Sequence, residues 1–181
     1  MSTYFSIGHA TRPIAEFVKL LQQAKVQLVA DVRAIPRSRT NPQYNQERLP
    51  STLAQFEIAY RHLGALGGLR PKAPGIAPET NGFWHHDSFH NFADDAMSEA
   101  FRAGLAQLRR LGNERRCAIM CAETLWWRCH RRIVADYQIA AGDTVLHIRG
   151  PGHVERATLT PAARPQPDRT LVFPAPPRGT S

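Results

Sequence analysis

Short apolar runs alternating with amphipathic helical segments constrain this chain more tightly than any other feature. Thr3–Ile7 is a β-rich run closed by Gly8, and Pro13–Gln23 then places Ile14, Phe17, Val18 and Leu21 on one helical face. Val26–Val32 is almost continuously apolar, the pattern of a strand buried on both faces. It leads through a polar loop to a helical segment carrying Leu49, Leu53 and Phe56. Ile58–Leu63 reads as a third strand. After a long Gly/Pro segment from Gly64 to Gly82, Phe101, Leu105, Leu108 and Leu111 mark another helix. Cys117–Cys121, a helix from Arg128 to Ala141 and Thr144–Ile148 follow, and Gly150-Pro151-Gly152 can turn the chain into one further short strand. This alternation predicts a single-domain α/β fold, an open, mostly parallel sheet of about five strands with helices on both faces. The domain spans residues 1–159. From Thr160 to Ser181 six prolines and little apolar periodicity predict an extended Pro-rich tail or strap, with Leu171-Val172-Phe173 as a patch able to dock on the body.

At 181 residues the chain has the length of one ordinary domain, and 43% hydrophobic content supports a real core. No apolar run is long enough to cross a bilayer, so collagen-like, wholly disordered and integral-membrane classes are excluded and no membrane partner is expected. The first residues lack the basic, apolar and small-residue regions of a secretory signal. Cys117, Cys121 and Cys129 form an odd and sparse set, which fits reduced thiols in a cytoplasmic protein better than a disulfide scaffold. The net charge is +8, and 20 of the 23 cations are arginine. Guanidinium forks suit phosphate and carboxylate recognition, although a GC-rich coding sequence would give the same bias.

Ligands of open parallel sheets sit at the carboxyl ends of the strands. Here the first strand ends in Gly8-His9-Ala10-Thr11-Arg12. The second ends in Asp31-Val32-Arg33 and opens a loop holding Arg37, Arg39, Tyr44 and Asn45. The third ends at His62. The fourth ends in Cys121-Ala122-Glu123, followed by Trp126, Trp127, Arg128, Cys129, His130 and Arg131. These segments are expected to converge on one basic crevice.

Taken together, Ile7-Gly8-His9-Ala10-Thr11-Arg12-Pro13, Asp31-Val32-Arg33 with Pro36-Arg37-Ser38-Arg39 and Asn41-Pro42-Gln43-Tyr44-Asn45, and Met120-Cys121-Ala122-Glu123 with Trp127-Arg128-Cys129-His130-Arg131 resemble the domain of unknown function 488 family. The resemblance covers roughly residues 4–149 in three ordered motifs. It implies a small α/β fold and a loose association of some members with DNA repair. It implies no reaction.

The residues themselves suggest one. Asp31 and Glu123 at two strand ends can divide general acid and base work or stabilise an oxocarbenium-like centre, chemistry that fits N-glycosidic cleavage. His9 and Cys121 stand beside them as further catalytic candidates. Asp31 could instead pair with Arg33 or Arg12 to organise the loops. Glu123 follows a cysteine and precedes two tryptophans, a setting expected to desolvate a carboxyl. Arg12, Arg33, Arg37, Arg39, Arg128 and Arg131 exceed what two carboxylates neutralise, which points to phosphate, and Thr11, Asn45 and His130 complete the substrate-binding set. Tyr44, Trp84, Trp126 and Trp127 can stack bases, though paired tryptophans also serve as core or lid packing. The leading expectation is a hydrolase or transferase acting on nucleic acid or a phosphorylated nucleoside, of an N-glycosidase-type repair or salvage kind. Two other readings stand beside it. One is a rhodanese-like sulfurtransferase carrying a persulfide on Cys121, whose loop nonetheless holds Glu123 and two tryptophans where a compact anion cradle would sit. The other is a non-catalytic nucleic-acid or nucleotide binding module.

Cys121, Cys129 and His130 invite a metal, yet neither Cys-x2-Cys nor His-Glu-x-x-His spacing occurs, so no metal and no cofactor is expected. His85, His86 and His90 beside Asp87 read either as a gate over the crevice or as a polar surface turn. Dinucleotide, P-loop and Gly-x-Ser-x-Gly motifs are absent, as are helix-turn-helix and zinc-finger patterns. A phosphatase loop also fails, because the sixth residue after Cys121 is Trp127.

Overall fold

The computed structural model describes residues 1–177, and Arg178, part of the tail defined above, lies outside the described residues. Its elements run β1 (Thr3–Gly8), α1 (Ile14–Gln23), β2 (Leu28–Asp31), α2 (Leu49–Ala54), β3 (Ala59–His62), α3 (Asp87–Asp95), α4 (Glu99–Glu114), β4 (Cys117–Cys121), α5 (Arg131–Ala140), β5 (Thr144–Gly150) and β6 (His153–Arg156). They build a six-stranded sheet of order β3-β2-β4-β1-β5-β6, parallel throughout except for β6, which pairs antiparallel with β5. The mostly parallel α/β sheet expected from the alternation is therefore present, with β6 added at the Gly150-Pro151-Gly152 turn. Among the described residues no helix is long and apolar enough to cross a membrane.

The period-two alternation of each strand sorts its side chains onto two apolar layers. Phe5, Ile7, Val29, Ala118 and Met120 pack with Phe17, Leu20 and Leu21 of α1 and Leu49 and Leu53 of α2. On the other face Tyr4, Leu28, Ala30, Ile119 and Cys121 pack with Phe101 and Leu108 of α4 and Ile133, Val134 and Tyr137 of α5. Within that second layer the Pro-rich segment is seated as a strap. Its short hairpin of β7 (Arg164–Pro165) and β8 (Leu171–Val172) buries Leu171, Phe173 lies beside Trp84, and the Phe83 N–H donates to the Phe173 carbonyl at 2.9 Å.

Two elements differ from the sequence reading. α2 stops at Ala54 because Glu57 takes a left-handed φ of 60° and the Ile58 N–H returns to the Leu53 carbonyl (3.1 Å), which leaves Phe56 exposed instead of core-facing. The segment around His85–His90 is more ordered than a surface turn. It opens α3, where His86 accepts the Ser88 N–H (3.3 Å) as a cap and His90 Nε2 donates to the Pro78 carbonyl (3.0 Å). Helix periodicity is hard to see there because polar and aromatic residues share the same short stretch.

Candidate functional site: a cysteine pair at the carboxyl end of β4

β4 lies between β2 and β1, and both neighbours lead to helices on one face (α2 and α1) whereas β4 leads to α5 on the other. Chains departing in opposite directions open a crevice at the strand ends, the position where open α/β sheets bind ligands. A cleft of about 300 Å³ occupies that place, lined by Arg33, Gly68, Cys121, Glu123, Cys129 and His130 among others. A larger cavity of about 600 Å³ lies between α4, α5 and the strap, but it holds arginines, Asp168 and apolar residues with no cysteine or histidine.

Cys121 ends β4, and Cys129 stands just before α5. Their Sγ atoms are 2.7 Å apart and both residues are buried at the cleft floor as free thiols. Three features surround Cys129. The Arg131 N–H at the start of α5 donates to its sulfur (3.4 Å), His130 Nδ1 lies 3.5 Å away, and the fully buried Arg131 guanidinium adds positive charge nearby. Burial alone would push the Cys129 thiol up. The Cys121 S–H bond, then the His130 and Arg131 charges, outweigh it and hold Cys129 well below the ordinary thiol range. Cys121 moves the opposite way, raised well above that range by burial and by its bond to Cys129. The two thiols titrate as one coupled pair, in which the surroundings favour ionisation of Cys129 over Cys121. Cys117, at the far end of the strand, is pushed up to about 12 by burial and takes no part.

The supports of this pair are also visible. His130 Nε2 donates to the Val32 carbonyl (2.8 Å), which orients the ring so that Nδ1 faces Cys129, where it can donate only when both ring nitrogens carry a proton. Arg131 Nη2 donates to the Glu123 carbonyl (2.8 Å), while its Nε and Nη1 meet no acceptor among the described residues, so its field falls on the sulfurs without a carboxylate to neutralise it. Gly8 is required here, because a Cβ would fall 1.9 Å from the Glu123 carbonyl oxygen where that loop crosses the end of β1. Arg70 donates to the Gly64 and Gly67 carbonyls and pairs with Asp95 (3.4 Å), and so ties the Gly64–Gly68 wall of the cleft to α3.

The carboxylate pair expected from sequence does not assemble. Asp31 is fully buried, and its oxygens accept from Arg33 N–H (3.1 Å), Nε (2.9 Å) and Nη2 (2.7 Å) and from the Tyr60 hydroxyl, which uses its four lone-pair sites and leaves none for water. In register Asp31 sits beside Met120, not Cys121, so it faces the α1/α2 layer. His9 is buried in the same layer, stacked on Tyr44 at 4.2 Å. Its Nδ1 donates to the Ala10 carbonyl (2.9 Å), its Nε2 accepts from Arg33 (3.3 Å), and desolvation lowers its pKa to about 4. Tyr44 is itself buried, its hydroxyl donating to the Arg12 carbonyl (2.6 Å), and offers no face to a base.

Most of the expected substrate-binding arginines are occupied. Arg12 bridges Gly8, Glu16 and the Arg149 carbonyl, Arg33 is spent on Asp31, Tyr44 and His9, Arg37 pairs with Glu47, and Arg131 is buried. Asn45 accepts the Ser38 N–H (2.7 Å) and shapes its own loop. Exposed Thr11 and Arg39 lie outside the residues lining the cleft, whereas exposed Arg128 and Glu123 line it. Glu123 Oε1 accepts the Leu125 N–H (3.0 Å), and Trp127 packs edge-on against Trp126 under the Arg149 guanidinium. Trp84 is buried under Arg132, and Trp126 stacks on the buried His147, whose pKa falls to about 3 through desolvation first and the Arg131 charge second. Sequence reasoning considered Cys129 only as a possible metal ligand and missed its contact with Cys121. The available signal was its place immediately before a helix start, beside His130 and Arg131. Among the described residues no group of three or more His, Cys, Asp or Glu side chains could hold a metal.

The open, mostly parallel sheet with helices on both faces defines a single-domain α/β protein, with two cysteines in contact at the end of β4. The family model described as Domain of unknown function DUF488 matches residues 13–138, and the chain belongs to that family. The opening Ile7–Arg12 motif falls before the matched span. No curated protein and no solved structure matches the chain.

Proposed function

We propose that this protein is a dithiol enzyme carrying out thiol–disulfide exchange, with Cys129 as nucleophile and Cys121 as resolving thiol. The observation that carries this reading is the 2.7 Å contact between the two sulfurs at the floor of an open cleft, in surroundings that favour the thiolate on Cys129. The Cys129 thiolate bonds to one sulfur of a substrate disulfide, and the substrate S–S bond breaks with its electron pair leaving on the other sulfur. That leaving thiolate takes the Cys121 proton. Cys121 then attacks Cys129 Sγ, closing a bond of about 2.05 Å, and the second substrate sulfur departs as thiolate. The substrate gains two electrons and the cysteine pair loses two, which an external dithiol reductant restores.

Limited oxidation with a small disulfide followed by peptide mapping tests this directly. The expected product is an intramolecular Cys121–Cys129 disulfide in the wild type and a trapped mixed disulfide on Cys129 in Cys121→Ser. Labelling that ignores Cys129, or a Cys129→Ser variant that still reduces the substrate, would sink the assignment.

A second reading, binding of nucleic acid or a phosphorylated nucleoside, is favoured by one observation: Arg39 and Arg128 are exposed and make no ion pair with any described residue. Retention on nucleic acid at low salt, with a salt slope smaller by about one unit in each single Arg→Ala variant, would support it. Carboxylate-driven glycosidic cleavage is the weaker form of that reading, since Glu123 lines the cleft and Asp31 does not.

A further inference from the structure

Two of the large apolar side chains that this protein exposes line the cleft that holds the sulfur pair. Ile35 is 61% exposed and Leu69 is 67% exposed, and both line the cleft, as does exposed Arg128. Half-buried Phe89 at the start of α3 completes the rim. These residues come from different segments: the loop after β2, the loop before α3, α3 itself and the turn before α5. Single exposed apolar residues are ordinary on any surface, but two exposed aliphatic side chains lining the same cleft as the sulfur pair offer an apolar rim that a partner can cover.

The nature of the cover follows from size and chemistry. At about 300 Å³ the cleft is at the lower bound for a pocket that encloses a whole ligand. Ile35 and Leu69 leave more than half of their surface open at the cleft, apolar area that a polypeptide segment laid across it would cover. Under the dithiol reading, the cysteine pair takes a disulfide sulfur inside. The adjoining Arg128 is an exposed cation with no ion pair to any described residue, and it favours an acidic group at the edge of the contact.

Resting on the dithiol reading, we infer that the substrate is a polypeptide disulfide, its cystine entering the cleft while flanking apolar side chains cover the Ile35–Leu69 rim and an acidic residue meets Arg128. Small disulfides reach the same sulfur but leave the rim exposed.

The test compares kcat/KM for a disulfide-bonded polypeptide, insulin, with that for bis(2-hydroxyethyl) disulfide in the wild type, Ile35→Asp, Leu69→Asp and the double variant. Because both positions are exposed, thermal melts serve to verify that each variant folds. The expected result is a wild-type preference for insulin and a fall of at least tenfold in the insulin-to-small-disulfide ratio in the double variant, about 1.4 kcal/mol of lost discrimination. A ratio unchanged by the double variant, with both substrates reduced, overturns the polypeptide inference and leaves the dithiol chemistry standing. A wild type that reduces neither substrate overturns both.

Discussion

Gly68 lies so close to His130 that a Cβ built on it would fall 2.6 Å from Nδ1 and 2.9 Å from Cγ of the imidazole. The ring cannot retreat freely, because Nε2 is held by the Val32 carbonyl and one edge meets Phe92 at 5.1 Å between centroids. Gly68→Ala must therefore shift the imidazole away from Cys129. Losing one charge-assisted contact of about 1.5 kcal/mol corresponds to roughly a tenfold change. We expect iodoacetamide to alkylate Cys129 about tenfold more slowly at pH 6 in this variant, at a stability cost of about 1–3 kcal/mol from overpacking. Unchanged alkylation would mean that His130 does not support the thiolate.

Cys121→Ala removes the S–H donor and leaves the helix terminus, His130 and Arg131 in place. A hydrogen bond to a charged group contributes about 1.5–3 kcal/mol, equivalent to roughly one to two pKa units. The Cys129 titration, followed by thiolate absorbance in the ultraviolet, should move upward by that amount. A midpoint that stays put would assign the low value to the helix and cations alone.

The Asp31–Arg33 pair is a folding element in this structure. Asp31→Ala strands a buried guanidinium, a change that costs about 3–5 kcal/mol. Urea unfolding should show that loss, and Asp31→Ala combined with Arg33→Met should recover part of it because no buried charge is left alone. A single variant as stable as the wild type would contradict the burial of this pair.

Acid sensitivity follows from three buried groups. His9 and His147 have folded pKa values of about 4 and about 3 against 6.5 for the free side chain, so below pH 6.5 the unfolded chain binds protons that the folded chain refuses, and stability falls as pH drops. Asp136 has the opposite sign: raised by burial from 3.8 to about 6, it gives stability that is greatest at low pH and lost as pH rises through 6. Near pH 5 these contributions partly cancel, leaving a net slope of about one proton, or about 1.4 kcal/mol per pH unit. Asp136→Asn should steepen that slope toward two protons. Chemical denaturation at several pH values between 4 and 7 measures it, and an unaltered slope would refute the assignment.

The sheet was legible because each strand carries its own apolar signature, and the strap could be anticipated from Leu171-Val172-Phe173. The site was legible only as a neighbourhood. Asp31 and Cys121 both end strands, yet the register sets Asp31 beside Met120 and Gly8 beside Cys121, and one residue of offset turns the carboxylate to the opposite layer from the thiol. Nothing within a single segment encodes that offset. The Cys121–Cys129 contact depends likewise on how the Trp126–Arg128 turn folds back before α5. Arginine composition suggested phosphate, whereas several guanidinium groups are struts: Arg12 joins two strand ends, Arg33 neutralises Asp31, and Arg70 braces a loop.

The strap has a consequence for how the protein is made. Leu171 and Phe173 complete the layer over α5, and Tyr137 both accepts the Leu171 N–H (3.0 Å) and shares its apolar environment. Until the ribosome has delivered residue 173, the layer on that side stays incomplete, with Trp84 lacking its Phe173 neighbour. The α1/α2 side uses residues only up to Ile148 and can close earlier. A nascent chain stalled between these points would display a sticky half-core with its thiol pair already synthesised, so chaperone capture and premature oxidation would compete during the same short interval of translation.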